Sequence, residues 1–218
     1  MTSTDTAHTH WNDQWAGIEA GSKWLTPEED VIRWAGEIAT GGRVLDLGAG
    51  VGRHALWLAD QGFEVTALDA APEGLAAITA KNAGVTTVES MMDVLPFDDG
   101  AFDHVLSWNV IYHGDETVLR RTIAEIRRVL KPGGTFIGTM LSNRRLPVEL
   151  ARSEGREISH NTWVFDDGGA GDKAHPHYYC NAAELVALFG GFELLWLQDR
   201  PHEKPGSWHW HLTAEMLA

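Results

Sequence analysis

Residues 44–59, VLDLGAGVGRHALWLA, constrain the fold more than any other stretch of the chain. Val44, Leu45 and Leu47 flank Asp46 and run directly into Gly48, Gly50 and Gly52, after which Ala55, Leu56, Leu58 and Ala59 supply an apolar stripe at helical spacing. That pattern predicts a strand, a tight glycine turn and a helix. Glycine suits the turn because its dihedrals are closed to side chains and because a ligand can then approach the backbone. By itself the triplet is also what an ordinary strand-to-helix turn contains. A second apolar strand, Glu64-Val65-Thr66-Ala67-Leu68, adds meaning because it ends in Asp69, about twenty residues further on, where a carboxylate can accept hydrogen bonds from both hydroxyls of a ribose.

Asp46-Leu47-Gly48-Ala49-Gly50-Val51-Gly52 followed by Ala67-Leu68-Asp69 resembles the first two motifs of the class I S-adenosylmethionine (SAM) dependent methyltransferases. A nicotinamide dehydrogenase uses the same strand-helix-strand grip. Against it, Arg53 stands where the longer dinucleotide fingerprint wants a third glycine, and Asp46 would repel a pyrophosphate. The resemblance implies an α/β, doubly wound, seven-stranded and mostly parallel sheet with an antiparallel last strand. By position it implies that Asp46 places the amino acid end of SAM, that Gly48, Ala49, Gly50, Asp69 and Ala70 hold its backbone and ribose, and that Asp93 and Val94 take the adenine. For Asp93, a turn aspartate before a proline is the plainer alternative. Residues 102–113, FDHVLSWNVIYH, resemble the fourth motif, a central strand whose carboxyl end faces the transferred methyl group. Trp108, Asn109 and His113 then look into the site, Trp108 and Asn109 beside the cofactor. His113 is a candidate general base, or packs on the cofactor, or caps the next helix.

The flanking pattern agrees with that fold. Thr26-Pro27-Glu28-Glu29 predicts a helix start capped by Thr26, with Val31, Trp34, Ala35 and Ile38 on one face. Helices follow over 70–83 and 115–130, strands over 85–92 and 135–141, with Lys131-Pro132-Gly133-Gly134 between the second helix and its strand. The resemblance covers residues 26–141. Beyond it, a substrate-specific insertion is expected at about 142–180, then a helix over 185–189 and closing antiparallel strands over 192–197 and 208–215. Residues 1–25 are expected to be a tail, disordered to about residue 10, and an aromatic lid, leaving 26–218 as the SAM-binding domain.

Net charge is −14, which opposes a nucleic acid partner; Arg120, Arg121, Arg127, Arg128, Arg144 and Arg145 are the candidates for a basic patch. The single cysteine, Cys180, excludes an internal disulfide and suits a reducing cytoplasm. The polar start lacks the regions of a signal peptide and no apolar run approaches membrane-spanning length, so a cytoplasmic monomer or homodimer without a membrane partner is expected.

Ten tryptophans and eleven histidines are many for 218 residues, and they gather toward the two ends. Trp11, Trp15 and Trp24 either close over the cofactor or staple the edge of the core. His175 shares a strand face with His177, and His209 with His211. These four could hold zinc, iron, copper or nickel, or could line the pocket by hydrogen bonds. Nothing in the sequence brings the two pairs together, and no metal is assigned. A glycine and aspartate run over 166–172 does not match the spacing of a calcium loop. Catalytic candidates are His113, His177 and Tyr178; Trp11, Trp15, Trp24, His175, His209 and His211 are candidates for acceptor contact or lid.

The reaction expected is transfer of a methyl group from SAM to a nitrogen, oxygen, sulfur or chalcogen nucleophile of a small molecule, leaving S-adenosylhomocysteine. The GRHALWLADQG continuation is similar to small bacterial methyltransferases of the tellurite-resistance type. A SAM- and metal-dependent enzyme of other chemistry, or a noncatalytic SAM-binding protein, are the alternatives.

Overall fold

The computed structural model describes residues 4–82, 84–166, 168, 171–202 and 204–217. Five parallel strands, β1 (Arg43–Leu47), β2 (Glu64–Asp69), β3 (Thr86–Glu89), β4 (Phe102–Ser107) and β5 (Leu130–Ser142), run in the order β3-β2-β1-β4-β5. Continuous apolar runs are what a sheet covered on both faces requires, and Val44, Leu45 and Leu47 of β1 are wholly buried. Residues 142–180, where a substrate-specific insertion is expected, contribute β6 (Gly155–Ser159), β7 (Thr162–Phe165) and β8 (His177–Cys180); β9 (Phe192–Pro201) and β10 (Trp208–Met216) follow. β10 lies antiparallel between β5 and β9, which completes the expected seven-stranded sheet with its antiparallel last strand. β4 stops pairing with β5 at Gly138, and β8 takes over that edge, with Leu141 opposite Tyr179. β7 and β6 then add antiparallel to β8.

Helices α1 (Ala7–Ala16), α2 (Glu29–Glu37), α3 (Arg53–Asp60), α4 (Pro72–Lys81), α5 (Glu116–Val129), α6 (Leu146–Leu150) and α7 (Ala182–Leu188) fill the connections. α5 buries Val118, Leu119, Ile123 and Ile126, and Asp115 caps it by accepting from the amides of Thr117 and Val118 at 2.9 and 3.0 Å.

Some expectations are corrected. Thr26 does not cap α2; it closes a short 3₁₀ turn over Lys23–Leu25, and the helix begins at Glu29 without a side-chain cap. Its start is pinned from α3 instead, where Arg53 Nη1 donates to Glu28 Oε1 at 2.8 Å and the Glu28 amide donates to His54 Nε2 at 3.3 Å. Residues 7–10 are helical rather than disordered, because Ala7 is buried and Thr4 Oγ1 accepts from the Asp115 amide at 2.9 Å; residues 1–3 lie outside the described residues. β5 begins at Leu130, with an irregular step in its pairing to β4 across the proline and double glycine. The helix expected over 70–83 spans Pro72–Lys81, and Ala83 lies outside the described residues.

Gly48 shows why the turn after β1 demands glycine. Its φ is +78°, and a Cβ there would sit 2.3 Å from Val110 Cγ2. Gly133 has a similar φ of +75°, but a Cβ at that position would meet nothing within 4 Å. Gly133→Ala should therefore cost only backbone strain, about 1 kcal/mol, whereas Gly48→Ala adds an overpacking cost and should lose about 2–4 kcal/mol in urea unfolding. Equal losses would contradict the packing reading.

Candidate active site

The loops beyond the carboxyl ends of β1, β2 and β4, together with α1 and the β9–β10 hairpin, enclose one cavity of about 610 Å³. Open α/β sheets place their ligands at this edge. Gly48, Ala49, Gly50, Asp69 and Ala70 line one half of it. The amides of Gly48 and Ala49 both donate to the Leu68 carbonyl, at 2.8 and 3.0 Å, tying the glycine turn to the end of β2. Asp69 completes the clasp: Oδ2 accepts from the Gly50 amide at 2.7 Å and Oδ1 from the Ala71 amide at 2.8 Å. Burial raises its pKa although these amides oppose the rise. Asp46 does not line the cavity. It is buried behind the turn, its Oδ2 has no hydrogen-bond partner, and burial pushes it up to about 7 against the opposing charge of Arg53.

Trp11, Trp15 and Trp24 line the same half. Trp11 and Trp15 stack with centroids 5.0 Å apart, and Trp24 meets both edge-on at 5.3 and 5.7 Å. Trp15 lies 3.0 Å from where a Cβ on Gly50 would stand, so the aromatic cluster rests on the glycine turn itself. The Arg53 guanidinium sits 5.0 Å from the centre of the Trp24 ring.

The other half is built from histidines. The alternation of β10 buries His209 and His211 on one side, and both line the cavity with Trp108, Asn109 and His113. His202, from the hairpin, stacks on His209 with centroids 3.7 Å apart. Burial lowers His202 to about 3 and puts His209 well below the usual imidazole range, so both rings are neutral. His209 is fully engaged: Nδ1 donates to the Ser207 carbonyl at 2.8 Å and Nε2 accepts from Arg145 at 3.1 Å. His211 is different. Its Nδ1 lies 2.9 Å from Asp30 Oδ2, which only accepts, and 3.3 Å from Arg200 Nη2, which only donates; the shorter contact assigns the proton of the neutral ring to Nδ1 and leaves the Nε2 lone pair with no partner. Burial opposes ionisation of Asp30, but His211 and Arg200 outweigh it and hold the carboxyl at about 2. Arg33 also pairs with Asp30.

His113 lines the cavity, but His177 and Tyr178 do not; both are buried behind it in β8. An isolated antiparallel bridge pairs His113 with His177, and the Tyr178 amide donates to the Tyr112 carbonyl at 2.8 Å, which turns β8 inward. His175 is not on the cavity wall either; its Nδ1 pairs with Thr6 Oγ1 at 2.9 Å. Asp93 and Val94 are also displaced from the cavity. A turn in which the Val94 amide donates to the Met91 carbonyl swings Asp93 toward Arg121, 3.7 Å away, and leaves Val94 62% exposed, while Ser90 and Met92 line the cavity. The two histidine pairs do not form one cluster: His177 joins His113 and Asp172, whereas His209 and His211 join His202 and Trp108. Sequence reasoning misses Asp30, Asp172 and His202 as site residues and names Arg145 only as part of a candidate basic patch. Of these Asp30 alone carries a signal, since it stands four residues before Trp34 on the buried face of α2.

A parallel sheet with an antiparallel strand inside its far edge, a glycine turn clasped by an acid at the end of β2, and a covered cavity at the strand ends define a doubly wound α/β fold with its ligand cleft at the carboxyl edge of the sheet. Residues 44–134 match the methyltransferase domain family. An uncharacterized methyltransferase of Synechocystis sp. is 36% identical over 99 residues, 45% of this chain and 47% of that protein. The 2-heptyl-1-hydroxyquinolin-4(1H)-one methyltransferase of Mycobacteroides abscessus is 29% identical over 153 residues, 65% of this chain and 67% of that protein. The chain spans about half the length of the first curated relatives it matches. Among solved structures, a SAM-dependent methyltransferase from Methanosarcina mazei superposes with a TM-score of 0.74 at 20% identity, covering 88% of this chain and 99% of that one. The 1,6-didemethyltoxoflavin-N1-methyltransferase of Burkholderia thailandensis, solved with 1,6-didemethyltoxoflavin and S-adenosylhomocysteine, gives 0.70 at 20% identity, covering 98% and 85%. Residues 44–134 thus carry a methyltransferase domain, and the chain as a whole has the class I methyltransferase fold.

Asp46 yields a pH prediction. Its folded pKa lies above its unfolded value, so its contribution to stability is fully present below about pH 4 and is lost as the pH rises to about 7. Asp46→Asn removes the titration. Unfolding free energies measured from pH 4 to 8 should diverge in favour of the variant by on the order of 4 kcal/mol. Parallel curves would mean that Asp46 is not strained by burial.

Proposed function

We propose that the chain transfers a methyl group from SAM to a proton-bearing nucleophile of a small molecule, with His211 as the base and Asp30 as its positioning residue. One observation carries this reading: a single cavity joins the Asp69-clasped glycine turn to the Asp30–His211 pair, whose free Nε2 lone pair belongs to a cavity-lining ring. The residues fit SAM on their own terms. Gly48 and Gly50 present backbone without Cβ atoms, and Asp69 keeps acceptor capacity beyond its two amide contacts.

SAM supplies a methyl group already activated on a sulfonium, which departs as the neutral thioether S-adenosylhomocysteine. Asp69 holds the ribose hydroxyls, and Ser90 and Met92 replace Asp93 and Val94 as the residues beside the base. Trp11, Trp15 and Trp24 act as the lid, excluding water and offering π faces to positive charge. His211 Nε2 accepts the proton that the acceptor loses as its new bond forms, and Asp30 stabilises the resulting imidazolium. Trp108 and the stacked His202–His209 pair wall the acceptor in a fixed orientation, which supplies much of what an SN2 transfer needs. Arg145, Lys173 and Arg200 also line this half, so an acceptor with an anionic oxygen suits it in a chain whose net charge is −14.

Calorimetry and turnover test the two halves separately. The parent should bind S-adenosylhomocysteine in the micromolar range, and Asp69→Ala should weaken it by about tenfold or more through loss of charge-assisted hydrogen bonds. Unchanged binding would refute the ribose placement. On an acceptor panel followed by S-adenosylhomocysteine release, Asp30→Asn and His211→Gln should lower kcat by about 10²-fold with cofactor binding intact. Full activity in both would remove His211 as the base.

A further inference from the structure

A second cluster borders the acceptor half and takes no part in the mechanism above. His113 and Asp172 stand on the cavity wall, with His177 directly behind them. Backbone pairing sets the spacing: the bridge between His113 and His177, together with the Gly114 amide donating to the Pro176 carbonyl at 2.9 Å, locks the two histidines side by side with ring centroids 4.8 Å apart. Asp172 opens the short 3₁₀ turn Asp172–Ala174, so its carboxylate is carried by local backbone rather than by a free loop end. One ligand atom from each of the three side chains lies within 4.8 Å of the others.

The hydrogen bonding of these groups does not close by itself. His177 Nδ1 lies 2.8 Å from the His175 carbonyl, which can only accept, so Nδ1 holds the proton. His177 Nε2 then turns a lone pair toward Asp172 Oδ2, 3.4 Å away. Two acceptors face each other, and a cation between them resolves the repulsion. His113 Nε2 is buried without a hydrogen-bond partner and stands 3.8 Å from the same carboxylate oxygen.

We propose that His113, Asp172 and His177 form a three-ligand site for a first-row divalent metal ion, whose remaining positions take an oxygen-donor small molecule from the cavity. Two imidazoles and one carboxylate suit zinc, iron(II) or manganese(II), and three protein ligands leave room for exogenous ones. The separations of 3.4 and 3.8 Å from Asp172 to the two imidazoles are close to the roughly 3.4 Å between tetrahedral ligands at bonds of about 2.1 Å, and the cluster as a whole, whose ligand atoms spread up to 4.8 Å, must draw in by about 1 Å on binding. The Nδ1 bond of His177 to a backbone carbonyl is the outer contact that fixes a metal-binding tautomer. Metal binding stands on these side chains alone; that the oxygen donor is the methyl acceptor rests on the methyl-transfer reading.

The test is cobalt(II) titration of the chelator-treated full chain, read by visible absorption, with zinc content after dialysis measured in parallel. The parent should take up about one equivalent, and Asp172→Asn should lower affinity by at least about tenfold, while Asp166→Asn, an exposed acid of the same insertion, should leave it unchanged. Calorimetry with S-adenosylhomocysteine on the same samples shows that Asp172→Asn is folded and separates failure of the metal site from failure of the cofactor reading. His177→Gln provides a second ligand deletion should Asp172→Asn not fold. No uptake by the parent, or uptake that survives loss of Asp172 and His177, would overturn the proposal.

Discussion

The clasp of Asp69 on the Gly50 and Ala71 amides is the contact on which the cleft depends. It ties the end of β2 to the turn after β1 and to the start of α4, so three elements meet at one carboxylate. Close packing reinforces it: a Cβ on Gly74 would lie 2.4 Å from the Gly50 carbonyl oxygen, which is why α4 can seat against the turn. Trp15 then rests on Gly50, and the aromatic cluster follows it. An acid half-withdrawn from water is costly, and the amides that surround it offset the cost while leaving lone pairs for a ligand.

Histidine does two kinds of work around the cavity, and partners decide which. His202 and His209 are neutral slabs, desolvated and stacked, and the polar atoms of His209 are spent on Ser207 and Arg145. His211 keeps one nitrogen unspent because Asp30 occupies the other. The Asp30 carboxylate is itself held ionised by Arg200 as well as by His211, so the pair is a network of charge-assisted contacts rather than an isolated contact.

Local patterns carry most of the fold. The apolar run ending in Gly48, the spacing of Leu119, Ile123 and Ile126, and the Pro132-Gly133-Gly134 break locate strands and helices, because each reports a burial or turn requirement within a few residues, while the arrangement of those strands in the sheet follows from the family resemblance. What is illegible depends on contacts distant in sequence. Thr26 has the chemistry of a cap, yet Arg53 and His54 pin α2 from another helix. Asp93 has the expected residue type, but the turn at Met91 leaves it beside Arg121, from a helix about thirty residues on, rather than on the cavity wall. The pairing of His113 with His177 needs β8 to return beside the loop after β4, and no periodicity announces that return.

A crystal structure of the chain with S-adenosylhomocysteine is the most direct measurement. The ribose hydroxyls should lie on Asp69 and the nucleobase beside Ser90 and Met92. The aromatic cluster of Trp11, Trp15 and Trp24 should be closed over the ligand, with the sulfur facing the half of the cavity that holds His211. A nucleoside bound away from Asp69, or a sulfur pointing away from His211, would contradict this placement.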